Sequence, residues 1–194
     1  MKNLIQHIKN RIQIEPQDEE IILSKFHLKR VSSKETLLKE GEVCNRLSYV
    51  DKGCLRVYAI DDNGVEKNVF FTVEDWWTVD LKSFIEQSPA RFYIDTIEEC
   101  ELFQIKKTDF EELLAQLPKL EKWFRLLLQN ALISSENRIS YKSSLNAEQR
   151  YSKFVEKYPH LETRIPQKQV ASYLGISPEF LSKLKADRLK RSKS

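Results

Sequence analysis

The hydrophobic pattern of this 194-residue chain changes its period twice, and this change limits the folds that the chain can adopt. Apolar residues recur at helical spacing up to Phe26. From Thr36 to Ile105 they fall into short runs that are separated by turn residues, which is typical of strands. After Lys107 the helical spacing returns. We therefore predict an α+β fold in which helices flank a double-stranded β-helix (jelly-roll) barrel.

Turn signals bound the predicted strands. The sharpest signal is Asp62, Asn63 and Gly64, which predicts a two-residue hairpin turn with positive φ at its central positions. The predicted strands cover residues 36–38, 47–50, 54–60, 65–71, 92–97 and 102–105. The predicted helices cover residues 2–14, 18–26, 109–117, 119–141, 146–158, 167–174 and 178–190.

The helix from Lys119 to about Tyr141 contains neither Gly nor Pro, and an apolar stripe along it steps by four and three residues. This spacing is typical of the seam between two helices, so it predicts a homodimer. The alternative is that the stripe packs on the chain's own barrel. The predicted interface residues are Leu120, Phe124, Leu127, Ala131 and Ser134.

The net charge of +3 conceals a division of charge along the chain. Residues 146–194 hold eleven Lys or Arg and five Asp or Glu, whereas residues 1–145 hold twenty-one and twenty-four. A basic patch of this kind is expected where a protein binds phosphate backbone, and a solvated basic tail is the alternative. The basic residues after Arg188 are Lys190, Arg191 and Lys193.

Residues 163–190 contain the most specific pattern in the chain, two short helices around a turn. Gly175 supplies the turn, and Ser177 caps the second helix with Pro178 at its first position. Apolar residues at the spacing that packs such helices are Val170, Ala171, Leu174, Ile176, Leu181 and Leu184. The pattern predicts a helix-turn-helix, and a helical hairpin that only packs is the alternative.

In a helix-turn-helix the second helix enters the major groove of double-stranded DNA. Near base edges we expect Pro178, Glu179, Ser182 and Lys183, and near phosphates Lys185 and Arg188. The other predicted DNA-binding residues, at the ends of the two helices, are Gln167, Lys168 and Ser177.

The order of barrel, long helix and helix-turn-helix resembles the Crp/Fnr family of bacterial transcription regulators, in the form common in Bacteroidetes. Residues 145–151 and 165–182 carry the resemblance, and residues 39–42 and 51–58 fit the family's barrel. The resemblance implies a cyclic-nucleotide-binding-type β-barrel, a dimerisation helix and a C-terminal winged helix-turn-helix domain. It also implies RNA polymerase as a partner. We place the sensor barrel at residues 1–118, the dimerisation helix and hinge at 119–145, and the DNA-binding domain at 146–194.

The resemblance implies that Glu179 and Lys183 read base edges. Pro178 departs from the family, whose well-studied members often carry arginine there, so their operator sequence does not transfer. Little length remains after the second helix for a wing hairpin.

Family members that bind cyclic nucleotides use a Gly-Glu pair and, about ten residues later, an arginine followed by small residues. The carboxylate holds the ribose 2′-hydroxyl and the arginine holds the phosphate. The matching residues here are Asp80, Leu81, Ala90 and Arg91. Val79 replaces the glycine and bulky Phe92 follows the arginine. We therefore expect no cofactor, and an unidentified small-molecule effector or none is favoured over a cyclic nucleotide.

The pattern of cysteines and histidines argues against other function classes. The three cysteines, Cys44, Cys54 and Cys100, are too few for a four-thiolate cluster. The predicted strands contain no histidine, so a jelly-roll metalloenzyme is disfavoured, and we predict no catalytic residues and no metal. The chain lacks a membrane span and a signal peptide, which predicts a cytoplasmic protein without a membrane partner. A ligand-binding or scaffold protein that has lost DNA binding remains the alternative.

Overall fold

The computed structural model describes residues 1–191, with side chains described as far as Arg188. The described chain divides into two compact units. The first comprises Met1–Ala59 and Phe70–Ala131, and the second comprises Ile60–Val69 and the residues from Leu132 onward. These boundaries differ from the predicted ones at residues 118 and 145. The basic residues Lys190, Arg191 and Lys193 lie outside the described side chains.

Within residues 1–191, eight strands form two four-stranded sheets of antiparallel pairs, in the orders β1-β8-β3-β6 and β2-β7-β4-β5, which confirms the predicted α+β fold. The strands are β1 (His27–Val31), β2 (Thr36–Leu38), β3 (Arg46–Lys52), β4 (Leu55–Ile60), β5 (Glu66–Thr72), β6 (Trp77–Thr78), β7 (Tyr93–Thr96) and β8 (Cys100–Lys106). The helices are α1 (Lys2–Lys9), α2 (Pro16–Lys25), α3 (Leu81–Glu86), α4 (Lys107–Gln116), α5 (Lys119–Ser144), α6 (Ala147–Lys157), α7 (Leu161–Arg164), α8 (Gln167–Leu174) and α9 (Pro178–Arg191).

Strand β1 was not predicted because four of its five residues are exposed and it contains His, Lys and Arg. It forms because it pairs along its whole length with the buried strand β8, from His27 opposite Gln104 to Val31 opposite Cys100. The two-residue strand β6 was also not predicted, since two residues are too short to show an alternating pattern.

The hairpin between β4 and β5 corrects the predicted two-residue turn. The backbone N–H of Asp61 donates to Val65 O over 3.0 Å, and the N–H of Gly64 donates to Asp61 O over 2.8 Å. The loop therefore has three residues, and only Gly64 has positive φ, at 76°. This is a type I turn followed by a left-handed residue, and the Asp61 carboxylate reinforces it by accepting from the N–H of Asn63 and of Val65.

Helix α1 is anchored to the barrel through a buried histidine. His7 Nε2 accepts from Trp77 Nε1 over 2.9 Å, so the proton of the neutral ring lies on Nδ1, which faces Asp75 Oδ1 at 3.0 Å. Tyr49 OH donates to the same carboxylate oxygen over 2.7 Å. Burial lowers the pKa of His7 below its ordinary value of 6.5, and the nearby Arg11 lowers it further.

We expect the free energy of unfolding to decrease as the pH falls through and below 6.5, because the unfolded His7 takes up a proton that the folded ring resists. Urea unfolding at several pH values between 7.5 and 5.5 measures this slope. The variant His7→Gln should show a smaller slope, because it removes the titrating ring. An unchanged slope in His7→Gln would contradict the assignment.

Candidate DNA-binding interface and effector site

The turn between α8 and α9 forms as the sequence predicts. Gly175 has φ of 69°, a left-handed conformation that favours glycine, and the N–H of Ile176 bonds to Ala171 O over 3.1 Å. Ser177 Oγ then accepts from the N–H of Phe180 over 3.2 Å and caps α9. Pro178 is the first residue of α9, where a missing N–H costs little.

Helices α8 and α9 pack on α6 around the core of the second unit. Val170, Ala171, Leu174 and Leu181 are buried as predicted. The sequence analysis did not single out the aromatic part of this core: α6 contributes Tyr151 and Phe154, followed by Tyr158 at its C-cap, and the aliphatic residues Leu161 and Ile165 are buried as well. A third helix behind the pair distinguishes this arrangement from an isolated helical hairpin.

The side of α9 opposite its buried residue Leu181 carries Glu179 and Lys183, both exposed. The two residues are four positions apart and therefore lie one above the other on the same face of the helix. Hydrogen bonds from its own backbone N–H and from the Ser177 hydroxyl lower the pKa of Glu179, so its carboxylate is ionised at neutral pH. The face thus presents one anion and one cation in adjacent turns.

Two predicted phosphate contacts have partners within the chain. Lys185 Nζ lies 3.6 Å from Glu162 Oε2. The Arg188 guanidinium carbon lies 5.5 Å from the centre of the Tyr151 ring. Both cations therefore help to attach α9 to the helices behind it.

Two of the predicted DNA-binding residues connect the helices of the motif. Gln167 Nε2 donates to Pro178 O over 3.0 Å and also to Ser182 Oγ. Ser182 Oγ in turn donates to Pro178 O over 3.1 Å. In this conformation Gln167 and Ser182 hold the first turn of α9 against α8.

The hairpin tip Ile60–Val69 packs on α8, a contact that the sequence does not reveal. Asn68 is buried, and its Nδ2 donates to Gln169 O over 2.9 Å and to Gln169 Oε1 over 2.6 Å. The N–H of Asn68 donates to Ser172 Oγ over 3.1 Å, and that hydroxyl donates to Glu66 O over 3.0 Å. Arg138 from α5 donates to Val69 O. A cavity of about 590 Å³ beside this contact is lined partly by the predicted residues Lys168, Ser177 and Pro178.

The structure brings two of the predicted effector residues, Asp80 and Arg91, into direct contact, and the contact is made by the Arg91 backbone. Asp80 is only 2% exposed, and both of its carboxylate oxygens already accept backbone N–H groups, from Ser83 over 3.1 Å and from Arg91 over 2.9 Å. The Arg91 guanidinium lies over the Phe92 ring at 5.5 Å, and Arg91 is exposed. Ala90 is buried and Leu81 faces solvent. In this conformation the Asp80 carboxylate is buried among backbone donors and the Arg91 guanidinium packs on the Phe92 ring.

The first three residues of the predicted dimer stripe pack against the chain's own core, so the structure corrects that part of the prediction. Leu120 is 1% exposed and belongs to the core of the first unit, and Phe124 and Leu127 pack against that core. Ser134 Oγ accepts from Lys157 Nζ over 2.6 Å, and Ala131 is exposed. The stripe could not be assigned from the sequence because α5 is apolar on more than one side.

A second apolar stripe on α5 faces solvent. Leu132 and Ile139 are 60% and 66% exposed, and they are seven residues apart, so they share one face of the helix. Leu128, half-buried, precedes them on the same face. These residues replace Leu120, Phe124 and Leu127 as the candidate dimer seam.

Cys44, Cys54 and Cys100 are buried cysteines that form no disulfide among the described residues, and burial raises the pKa of Cys44. Among residues 1–191, no three His, Cys, Asp or Glu side chains are grouped as a metal site would require. None of the described helices is both long and apolar enough to cross a membrane.

Comparisons with known proteins agree with this architecture. Residues 28–117 match a family model described as the cyclic nucleotide-binding domain. The anaerobic regulatory protein of Haemophilus influenzae is 23% identical over 169 residues, which cover 80% of this chain and 64% of that protein. The cAMP-activated global transcriptional regulator CRP of the same organism is 22% identical over 84% of this chain and 77% of its own length.

A solved structure of FixK2 from Bradyrhizobium japonicum superposes with a TM-score of 0.76, at 14% identity and with 86% of each chain covered. This similarity establishes the shared fold. The chain spans slightly less than two thirds of the length of the Haemophilus anaerobic regulatory protein.

Proposed function

We propose that this chain, a Crp/Fnr-type regulator built on a cyclic nucleotide-binding domain, is a sequence-specific DNA-binding transcription regulator. The observation that carries the proposal is the exposed pair Glu179 and Lys183 on the outer face of α9, at the start of the second helix of a helix-turn-helix. We further propose that it acts in the cytoplasm as a homodimer, engages RNA polymerase as a partner, and is not an enzyme.

The chemistry of this pair matches the edges of a G·C base pair in the major groove. A carboxylate accepts from the cytosine N4 amino group, and an ammonium donates to guanine O6 and N7. Because Gln167 and Ser182 fix the first turn of α9, the two side chains project from a preorganised helix. Residues 146–194 carry more cations than anions, which supports attraction to the phosphate backbone.

The barrel of this chain is proposed to respond to a small molecule other than a cyclic nucleotide, or to none. The support is the state of Asp80, whose two oxygens are both committed to the backbone N–H groups of Ser83 and Arg91. Asp80 is also only 2% exposed, so recognition of a ribose hydroxyl would require a rearrangement that uncovers its carboxylate.

Selection of duplexes from a random library by the full chain tests the function. We expect the wild type to bind selected duplex at least about a thousandfold more tightly than scrambled duplex at physiological salt. Fluorescence anisotropy measures both affinities. Equal affinities would overturn the proposal and favour a ligand-binding or scaffold protein without DNA binding.

Lys183→Ala should reduce the preference for the selected duplex over a duplex changed at one G·C pair by about tenfold or more, because a base-edge contact is lost. Lys153→Ala removes the same charge from an exposed position on α6 and serves as the matched control. The control should retain the full base preference. If Lys183→Ala also retains it, Lys183 does not read a base.

A further inference from the structure

Phe180 is an exposed aromatic residue in the first turn of α9, and none of the DNA contacts above involves its side chain. Phe180 is 45% exposed, whereas the next residue, Leu181, is fully buried. The backbone of Phe180 is fixed, since its N–H donates to the Ser177 cap. An exposed apolar side chain held at this position is suited to contact an apolar surface.

Helix geometry places Phe180 beside the face that carries Glu179 and Lys183. Successive residues of an α-helix are rotated by about 100°, so Glu179 points about 200° away from buried Leu181, and Phe180 points about 100° away from it. Lys183 lies three residues beyond Phe180 and is therefore its neighbour on the helix surface. The phenyl ring thus lies at one side of the anion and cation pair, in the turn that enters the groove.

We propose that Phe180 recognises thymine by packing against its C5-methyl group, at a base pair next to the one contacted by Glu179 and Lys183. This inference rests on the proposed function. The methyl group of thymine is the one apolar substituent that base pairs present in the major groove, and apolar side chains contact it. Each half-site of the operator accordingly contains a thymine adjacent to a G·C pair.

Replacement of thymine by deoxyuridine tests the contact, because it removes only the methyl group. Duplexes selected by the full wild-type chain are synthesised with uracil at one thymine position at a time. At one position per half-site, wild-type affinity should decrease about fourfold, the value expected for one buried methyl group. Phe180→Ala should bind the thymine and uracil duplexes equally at that position.

Two variants make the result interpretable. Phe180→Leu keeps an apolar side chain and should regain part of the thymine preference, with unchanged thermal unfolding as the check on folding. Val43→Ala truncates an exposed apolar residue on the barrel and should keep the full wild-type preference.

The outcomes distinguish this inference from the proposed function. If the wild type selects a sequence, but its sensitivity to uracil persists in Phe180→Ala or is absent at every position, the thymine contact is wrong and the regulator remains. If the wild type selects no sequence, both proposals fail. Binding of another protein to the Phe180 surface without any methyl dependence would also overturn the thymine contact.

Discussion

Replacing both Leu132 and Ile139 with glutamate is expected to convert the proposed homodimer to a monomer and to weaken operator binding at least about a hundredfold. The two side chains are 60% and 66% exposed in the single chain, so the substitutions leave its own core intact. In the dimer, the glutamates introduced at positions 132 and 139 of one chain would face those of the other chain across the seam, and their negative charges would repel each other. Loss of the dimer removes the second half-site contact, which contributes through effective concentration. Sedimentation velocity and anisotropy measure the two effects.

The matched control places the same two charges on another face of the same helix. Asn130 and Asn137 are exposed and lie seven residues apart on the side opposite Leu132 and Ile139. Replacement of both asparagines by glutamate should leave the dimer and the affinity unchanged. A wild-type protein that sediments as a monomer, or a dimer that survives the Leu132 and Ile139 substitutions, would contradict this seam.

Gly53→Ala is expected to lower the free energy of unfolding by about 3 kcal/mol, the largest effect on stability that we predict for a single methyl group. Gly53 has φ of 101°, and a Cβ atom there would lie 2.6 Å from Glu99 O and 2.6 Å from Cys100 Sγ. Cys100 is the first residue of β8 and Glu99 directly precedes it, so a shift of either atom would disturb the pairing of β8 in the barrel. Urea unfolding followed by circular dichroism measures the change.

Gly41→Ala isolates the steric part of this effect. Gly41 also has positive φ, at 87°, but no heavy atom lies within 4 Å of an added Cβ. Its substitution should cost only the backbone strain, about 1 kcal/mol. If both variants lose a similar amount of unfolding free energy, then Glu99 and Cys100 move aside at little cost to accommodate the methyl group added at position 53.

The features that the sequence predicted well are those encoded by neighbouring residues. Gly175, Ser177 and Pro178 mark the turn and the start of α9 on their own, because a left-handed turn and a helix cap are local requirements. The capping box of α6 is equally local, since Asn146 and Gln149 exchange hydrogen bonds over three residues.

The features that were missed depend on partners far away in the chain. Strand β1 is polar and exposed and exists because β8 pairs with it, about 70 residues later. Asn68 bonds to Gln169 across 101 residues, and nothing in either segment marks the other. Leu120 and Leu132 both fit a helical stripe, and only the barrel core that covers Leu120 decides which of them faces solvent.

The hairpin tip has a consequence for how this protein can be divided. The second unit takes Ile60–Val69 from the middle of the chain, so no single peptide-bond cleavage releases it whole. A fragment that starts at Leu132 lacks Asn68 and leaves Gln169 and Ser172 of α8 without those bonds. During synthesis, Asn68 is made about 100 residues before its partners on α8. The second unit is therefore not an excisable module, and its assembly is completed only after α8 has been synthesised.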